Sequence, residues 1–306
     1  MKKILVVGLP KVNGEIDGLW YNGFPIHFGD NENSLNYATV YAGENNILPD
    51  QKVVQSDHKA FLKVLKMAGF ELEIMPFPEE LNQLDNLHHD AVFVRDAGFM
   101  FDNKWIVANF SVKERQVEAE VHSRSIQSKY GVEIVDLPKD AKLEFGEVIY
   151  LETKSGSYYF GGVSRSNEIA HDFVRDIVKP DNYIIIKSSG YHLDTVFSPV
   201  LSPENEIVAL LVTKGKITDE SIKLLQKLEI EMIYVDQIDS SGKDMELGNY
   251  AINTLIAPGV MVNCAYFETE GVEEKLKDFG VKRFVSSLTY FRFAGGSYHC
   301  LTNEIW

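Results

Sequence analysis

A helix followed by a short strand recurs along this chain, and in most copies a glycine marks the junction. Residues 56–68 place Phe61, Leu62, Leu65 and Ala68 on one helical face, with Ser56 or Asp57 as N-cap. Gly69 then stops the helix, and 70–75 alternates like a strand before Pro76. The same grammar returns at Lys129-Tyr130-Gly131, followed by 132–137 and Pro138, and at Asp278-Phe279-Gly280-Val281, leading to Phe284 and Val285. A copy without the glycine runs from a Thr218 cap through Leu224, Leu225 and Leu228 into 232–235. Weak repeats of one α/β unit predict a pseudosymmetric ring or stack, with a doubly wound sheet as the ordinary alternative. No G-x-G-x-x-G follows the first strand and no phosphate loop is present, so nothing marks a nucleotide site. No Pro/Ser-rich linker divides the 306 residues, which read as one domain, 1–306.

The formal net charge of −15 argues against a nucleic-acid surface, which needs a basic stripe, and suits a small cationic substrate. The opening Met-Lys-Lys-Ile-Leu-Val-Val-Gly is too short in apolar residues for a signal peptide and reads as a buried strand. No apolar run approaches the roughly 20 residues needed to cross a bilayer. Cys264 and Cys300 are far apart and have no metal-binding spacing, which predicts a cytoplasmic protein without a structural disulfide.

Chemistry is most concentrated at the C-terminus, in Gly295-Gly296-Ser297-Tyr298-His299-Cys300-Leu301-Thr302. Paired glycines allow close backbone approach, and the following residues read as a short strand ending in a cysteine. Cys264, inside the apolar run 260–267, reads as a small buried hydrophobe. Cys300 has polar company and is the candidate nucleophile, although thiol reactivity depends on neighbours outside one strand. On a strand His299 points away from Cys300, so the partner base is expected from another module. His192, in Gly190-Tyr191-His192-Leu193-Asp194, is that candidate, with Asp194 on the same face; a satisfied core histidine is the alternative. Asp96 ends an apolar run, Phe93-Val94-Arg95-Asp96, where burying two charges requires partners. The same tetrapeptide at Phe173 to Asp176 reads as a solvated helix, with Ile169, Phe173 and Ile177 on its apolar face. Glu144 and Glu147 flank Gly146. Asp96, Glu144 and His192 are spaced by 48 residues, and Cys300 lies two intervals of 54 further on, as one residue per module converging on an axis would be.

Together these motifs resemble the guanidino-group-modifying superfamily of arginine deiminases, dimethylarginine dimethylaminohydrolases and amidinotransferases. The resemblance rests on Gln55-x-x-His58-x-x-Phe61, Phe93-Val94-Arg95-Asp96, Leu143-Glu144-Phe145-Gly146-Glu147-Val148, the segment Gly161 to Asn167, His192-Leu193-Asp194-Thr195 and Gly296 to Thr302, in that order. It implies a five-bladed α/β propeller, the pentein fold, with Cys300 as nucleophile, His192 as general acid/base and Glu144 orienting it. Asp96 and Asp194 would grip the guanidinium, Arg165 a substrate carboxylate, and Asp90 the amino-acid end. It implies no cofactor and no metal, and allows a homodimer. Phe145 and Glu147 depart from the family's Gly and Asp at those positions, and the segment Val163-Ser164-Arg165-Ser166-Asn167 keeps the arginine but not the usual serine. Residues 1–50, including Gly18-Leu19-Trp20-Tyr21-Asn22-Gly23-Phe24, match no motif and read as a substrate-covering loop or as surface structure with aromatic anchors.

The residue types suit that chemistry. A guanidinium is planar and permanently charged, and carboxylates bind it through paired, charge-assisted hydrogen bonds. Thiolate attack on its central carbon gives a tetrahedral adduct, and a histidine can protonate the departing amine. The expected activity is hydrolysis at the guanidino carbon of arginine or a relative. Transfer of the amidino group to an amine is a second reading, and a catalytically silent binding propeller a third.

Overall fold

The computed structural model describes residues 3–10, 36–83, 86–243 and 246–305; the aromatic segment 18–24 lies outside them. Among the described residues five three-stranded sheets carry the fold, and all share one plan. Two antiparallel strands form a pair, a helix follows, and a third strand returns parallel to the second. Four modules run consecutively. Their strands are Gly98–Phe101, Lys104–Val107 and Glu133–Val135; Val148–Thr153, Gly156–Gly162 and Asn182–Ile186; Phe197–Leu201, Ile207–Thr213 and Glu231–Val235; and Leu255–Ala257, Val260–Asn263 and Lys282–Val285. The remaining module joins the chain's two ends. Thr302–Ile305 pairs antiparallel with Lys3–Val7, which lies parallel to Glu71–Met75.

The linking helices show why the repeat was only partly visible. The first begins at Gln51, five residues before the reading from apolar spacing, because Asp50 caps it by accepting from the amides of Lys52 and Val53. Asp57 instead accepts from the Thr289 amide at 2.7 Å, tying this helix to Thr289–Phe293. Phe61 and Leu65 are fully buried as expected, each worth about 2–3 kcal/mol as apolar area removed from water. Gly131 (φ 67°) ends the helix Gln116–Tyr130 in the left-handed region that favours glycine. Glu229 (φ 56°) and Lys179 (φ 51°) adopt the same conformation after the helices Asp219–Gln226 and Glu168–Val178. These junctions therefore lack the glycine that punctuates the other copies.

The helix Glu168–Val178 belongs to one of the five modules. It buries Ala170, His171, Val174 and Val178, whereas Ile169 is 55% exposed, so its core face is rotated from the one read off Ile169, Phe173 and Ile177. Asn167 caps it, and His171 ties it to the strand Gly156–Gly162 through the Tyr159 hydroxyl and the Gly162 carbonyl. Two apolar clusters fill the interior. Alternate residues of Val148–Thr153 feed different ones: Val148 and Tyr150 join the first, Ile149 and Leu151 the second, as the period-2 geometry of a strand requires. Among the described residues no helix is long and apolar enough to cross a membrane.

One regularity places the chemistry. Each module's leading strand is preceded by a tight turn, and two residues before those strands stand Asp96, Gly146, Thr195, Asn253 and Cys300.

Candidate active site

Cys300 lies not on a strand but in a turn over 298–301, ahead of Thr302–Ile305. Its thiol is 2% exposed and donates to Asp194 Oδ2 at 3.3 Å, while Asn253 Nδ2 donates to the sulfur at 3.1 Å. Asn253 Oδ1 also accepts from the amides of His299 and Cys300, so one side chain holds both the turn and the sulfur. Burial pushes the thiol well above its ordinary pKa, and the negative charges of Asp194 and Asp96 push the same way.

Because the segment is a turn, the strand argument about His299 fails. His299 Nδ1 meets Asp194 Oδ2 at 2.7 Å, so His299 and Cys300 share one carboxylate oxygen. Asp194 follows His192 in a short 3-10 turn, Leu193–Thr195, rather than on a strand. Burial would raise its pKa, but the hydrogen bond and charge of His299 hold it below the usual carboxylate value. Its other oxygen, Oδ1, is buried and accepts no hydrogen bond among the described residues.

His192 is 1% exposed, with Nε2 at 2.8 Å from Glu144 Oε2 and Nδ1 at 3.5 Å from Asp96 Oδ1. Burial alone would lower its pKa, but Asp96 and the Glu144 hydrogen bond carry it up to about 9, so the ring is an imidazolium at neutral pH. Glu144 is fully buried, and Ser111 donates to its Oε1 from both the amide and the hydroxyl. Burial opposes its ionisation, yet Arg165 and His192 hold its pKa well below the ordinary range. Gly146 makes this packing possible, since a Cβ there would run into the His192 ring.

The departures at Phe145 and Glu147 from the family pattern have local explanations. Phe145 is buried and stacks on Phe99, with ring centroids 5.9 Å apart, so an aromatic core contact replaces the glycine. The longer Glu147 side chain accepts from the amides of Ser164, Arg165 and Leu193, each at 2.8 Å. It thereby ties the Arg165 loop to the His192 turn. Burial raises its pKa to about 7, against the pull of His192 and those amides.

Asp96 sits in a turn after the 3-10 segment His89–Val92, not at a strand end. Its Oδ2 accepts from Arg115 Nη1 at 3.0 Å; burial raises its pKa, opposed by His192 and Arg115. Its Oδ1, like that of Asp194, accepts no hydrogen bond among the described residues. Arg115 also clasps Glu118. Cys300, Asp96, Asp90, Arg165, Arg115 and Tyr191 line one cavity. Arg165 stacks over the Tyr191 ring at 5.1 Å and reaches Glu144 at 3.5 Å.

All seven residues singled out from the sequence thus belong to this cluster, either lining the cavity or bonded to a residue that does. Asn253 and Arg115 were missed, and His299, expected to face away from Cys300, instead shares Asp194 with it. Asn253 fills the one module that the spacing skipped, between His192 and Cys300, so the doubled interval was its signal. Among the described residues no group of three or more His, Cys, Asp and Glu side chains could hold a metal ion.

A family model described as N,N dimethylarginine dimethylhydrolase, eukaryotic, matches residues 25–306. Two curated relatives are bifunctional arginine dihydrolase/ornithine cyclodeaminases. AgrE of Nostoc sp. is 26% identical over 220 residues, and ArgZ of Synechocystis sp. 25% over 227. Each match covers 71% of this chain but 29% of the relative, so the chain spans less than a third of those proteins. Among solved structures, an ArgZ N-terminal domain covalently bound to a reaction intermediate superposes over 100% of this chain and 98% of that one, with TM-score 0.73 and 19% identity. A dimethylarginine dimethylaminohydrolase from Pseudomonas aeruginosa complexed with citrulline gives TM-score 0.69 at 14% identity, covering 99% and 98%. With the family model matched across nearly its whole length, the chain belongs to the N,N dimethylarginine dimethylhydrolase family of guanidino-modifying enzymes.

Proposed function

We propose that the chain hydrolyses the guanidino group of L-arginine, or of a close relative with unsubstituted terminal nitrogens, through a covalent adduct on Cys300. In this reading the five modules close into a ring, a five-bladed α/β propeller, whose inner turns supply the site. The observation that carries the proposal is the pair of buried carboxylate oxygens, Asp96 Oδ1 and Asp194 Oδ1, that accept no hydrogen bond among the described residues. Each belongs to a carboxylate beside the thiol or the imidazolium. Buried acceptors of this kind are costly unless a donor reaches them. A guanidinium brings several N–H donors in one plane together with the positive charge the carboxylates favour. Methylated nitrogens bring fewer donors, which favours the unsubstituted group.

That charge also bears on the nucleophile. Burial, and with it the charges of Asp194 and Asp96, favours the protonated thiol at rest; a cation lodged between the carboxylates offsets their field and favours the thiolate. The sulfur then adds to the guanidino carbon. The C=N π pair moves to nitrogen, and collapse of the adduct expels one terminal nitrogen as ammonia, protonated by the His192 imidazolium. Glu144 orients that ring. His192, now neutral, takes a proton from water as it adds to the carbon; the C–S bond then breaks, its electron pair leaving on sulfur and the hydroxyl proton passing to that sulfur, to give citrulline and the resting thiol. Arg165 and Arg115 set positive charge on the cavity wall for the substrate carboxylate, and Asp90 faces its ammonium. Two free cysteines suit a reducing, cytoplasmic setting.

The test is incubation with L-arginine and, separately, N,N-dimethylarginine, with and without glycine, scored for citrulline, ornithine, ammonia and dimethylamine. Citrulline and ammonia from arginine, abolished by Cys300→Ser without loss of folding, are the expected outcome. A glycine-dependent ornithine yield reassigns the reaction to transfer, and dimethylamine as the main product reassigns the substrate. No product from either compound overturns the proposal.

A further inference from the structure

Consecutive residues around Cys300 line two different cavities. Asp96 and Cys300 line the first; Arg95 and His299 line a second, together with Asp194, Tyr150 and Glu304, and the two share no lining residue. The second is similar in size to the first, and its remaining wall is largely apolar, with Phe99, Phe197, Ile252 and Ile256. Its polar edge is built. Arg95 Nη1 meets Glu304 Oε2 at 2.6 Å, and Arg95 Nε donates to the His299 carbonyl at 3.4 Å.

Asp194 joins the two sides. Its Oδ2 accepts the Cys300 thiol at 3.3 Å and lies 2.7 Å from His299 Nδ1, and all three side chains are at least nine-tenths buried. We propose that His299 is a proton-carrying positioning residue, which acts through Asp194 to let the Cys300 thiol proton be exchanged with the second cavity rather than with the substrate cavity. The proposal rests on Cys300 being the nucleophile, and it goes beyond the roles given above.

In this relay the Asp194–His299 pair carries two protons before attack, one in the short Oδ2···Nδ1 bond and one on Nε2. The Nε2 proton passes to water in the second cavity, leaving an anionic pair. As sulfur bonds to the guanidino carbon, the thiol proton moves to Oδ2 and restores the count. No oxidant or further reactant enters. The arrangement answers a difficulty in the front cavity, where His192 is already an imidazolium at neutral pH and so is an acid, not an acceptor. The charged and titratable groups around His299 and its carboxylate are Asp194, Cys300, Arg95, Glu304 and Tyr150, with His192 acting on Asp194 and Asp96 on Cys300, and any pH dependence belongs to that set.

His299→Asn and His299→Ala separate carrying a proton from holding a carboxylate, because asparagine keeps a donor toward Asp194 but cannot relay a proton. With L-arginine, both variants are expected to lose kcat by about 100-fold at neutral pH while KM stays within about twofold, the scale of a lost acid–base group. Added imidazole should restore His299→Ala saturably and leave His299→Asn unchanged, since only the alanine leaves room for the ring. A second arm needs no substrate. Iodoacetamide labelling of Cys300, followed by peptide mapping to separate it from Cys264, should slow in both variants near neutral pH and recover at high pH. Wild-type kcat and wild-type labelling rates in His299→Asn would overturn the relay, as would loss in His299→Ala alone without imidazole rescue. If wild-type protein turns over no arginine, the function proposed above fails, whereas the labelling arm still judges the relay.

Discussion

The string Phe-Val-Arg-Asp occurs twice, and its two copies end in opposite surroundings. At 93–96 it forms a turn before a strand, and Arg95 and Asp96 are 3% and 4% exposed. At 173–176 it lies on the helix Glu168–Val178, with the Asp176 side chain 73% exposed. The first copy's charges each have a distant partner, Glu304 for Arg95 and Arg115 for Asp96. The second copy's Arg175 pairs with Asp172 and Asp176 beside it on the same helix. A buried charge must be paired, so only the first copy is wired into the module turns around Cys300; an exposed local pair contributes little. Chemistry follows from the partners, not from the tetrapeptide.

The comparison breaks most sharply at the aspartates. Asp96→Asn should cost ~1–3 kcal/mol in urea unfolding, because Arg115 keeps Glu118 but loses its second buried carboxylate, and should cut arginine turnover by about 100-fold. Asp176→Asn should stay within about 0.5 kcal/mol and leave turnover unchanged. Equal effects at the two positions would remove the distinction.

A pH titration of stability tests the same buried cluster without mutation. His192 is raised to about 9 in the fold from an ordinary 6.5. Its charged form is therefore favoured by folding, and that contribution is complete below pH 6.5 and lost as the pH rises toward 9. At about 1.4 kcal/mol per pH unit the loss is up to ~3 kcal/mol. His192→Gln should flatten the slope in that window, whereas Arg175→Ala should leave it in place. A slope unchanged by His192→Gln would contradict the assignment.

The arginines sharpen the contrast at smaller scale. Arg95→Ala should destabilise by ~2–3 kcal/mol, since Glu304 and the His299 carbonyl lose a buried partner. Arg175→Ala should cost under ~1 kcal/mol. On the helix that carries the second copy the core residue is Val174, fully buried, and not the half-exposed Ile169. Val174→Ala should cost about 2 kcal/mol, and Ile169→Ala within about 0.5 kcal/mol.

Much of this was legible in the residues, and the rest was hidden for physical reasons. Gly69, Gly131 and Gly280 announced helix ends because a left-handed residue is easiest to make from glycine. Glu229 and Lys179 occupy the same conformation silently, which concealed one copy and blurred another. Asp96, Glu144, His192, Asp194 and Cys300 were visible as polar groups in apolar or glycine-rich company. Arg115 and Asn253 were not, because their roles come from Asp96 and Cys300, which lie 19 and 47 residues away in sequence. His299 was misplaced through a strand assumption: a turn brings neighbouring side chains to one carboxylate where a strand would part them.

The central claim is that Cys300 forms a bond to the substrate carbon within this ring of buried charges. Rapid acid quenching of the protein during turnover of L-arginine, followed by mass analysis of its peptides, tests that directly. An adduct on the Cys300 peptide with the mass of arginine less ammonia, rising before product and decaying as arginine is exhausted, is the predicted result. Product formation with Cys300 unmodified throughout, or with the adduct on Cys264 instead, would contradict it.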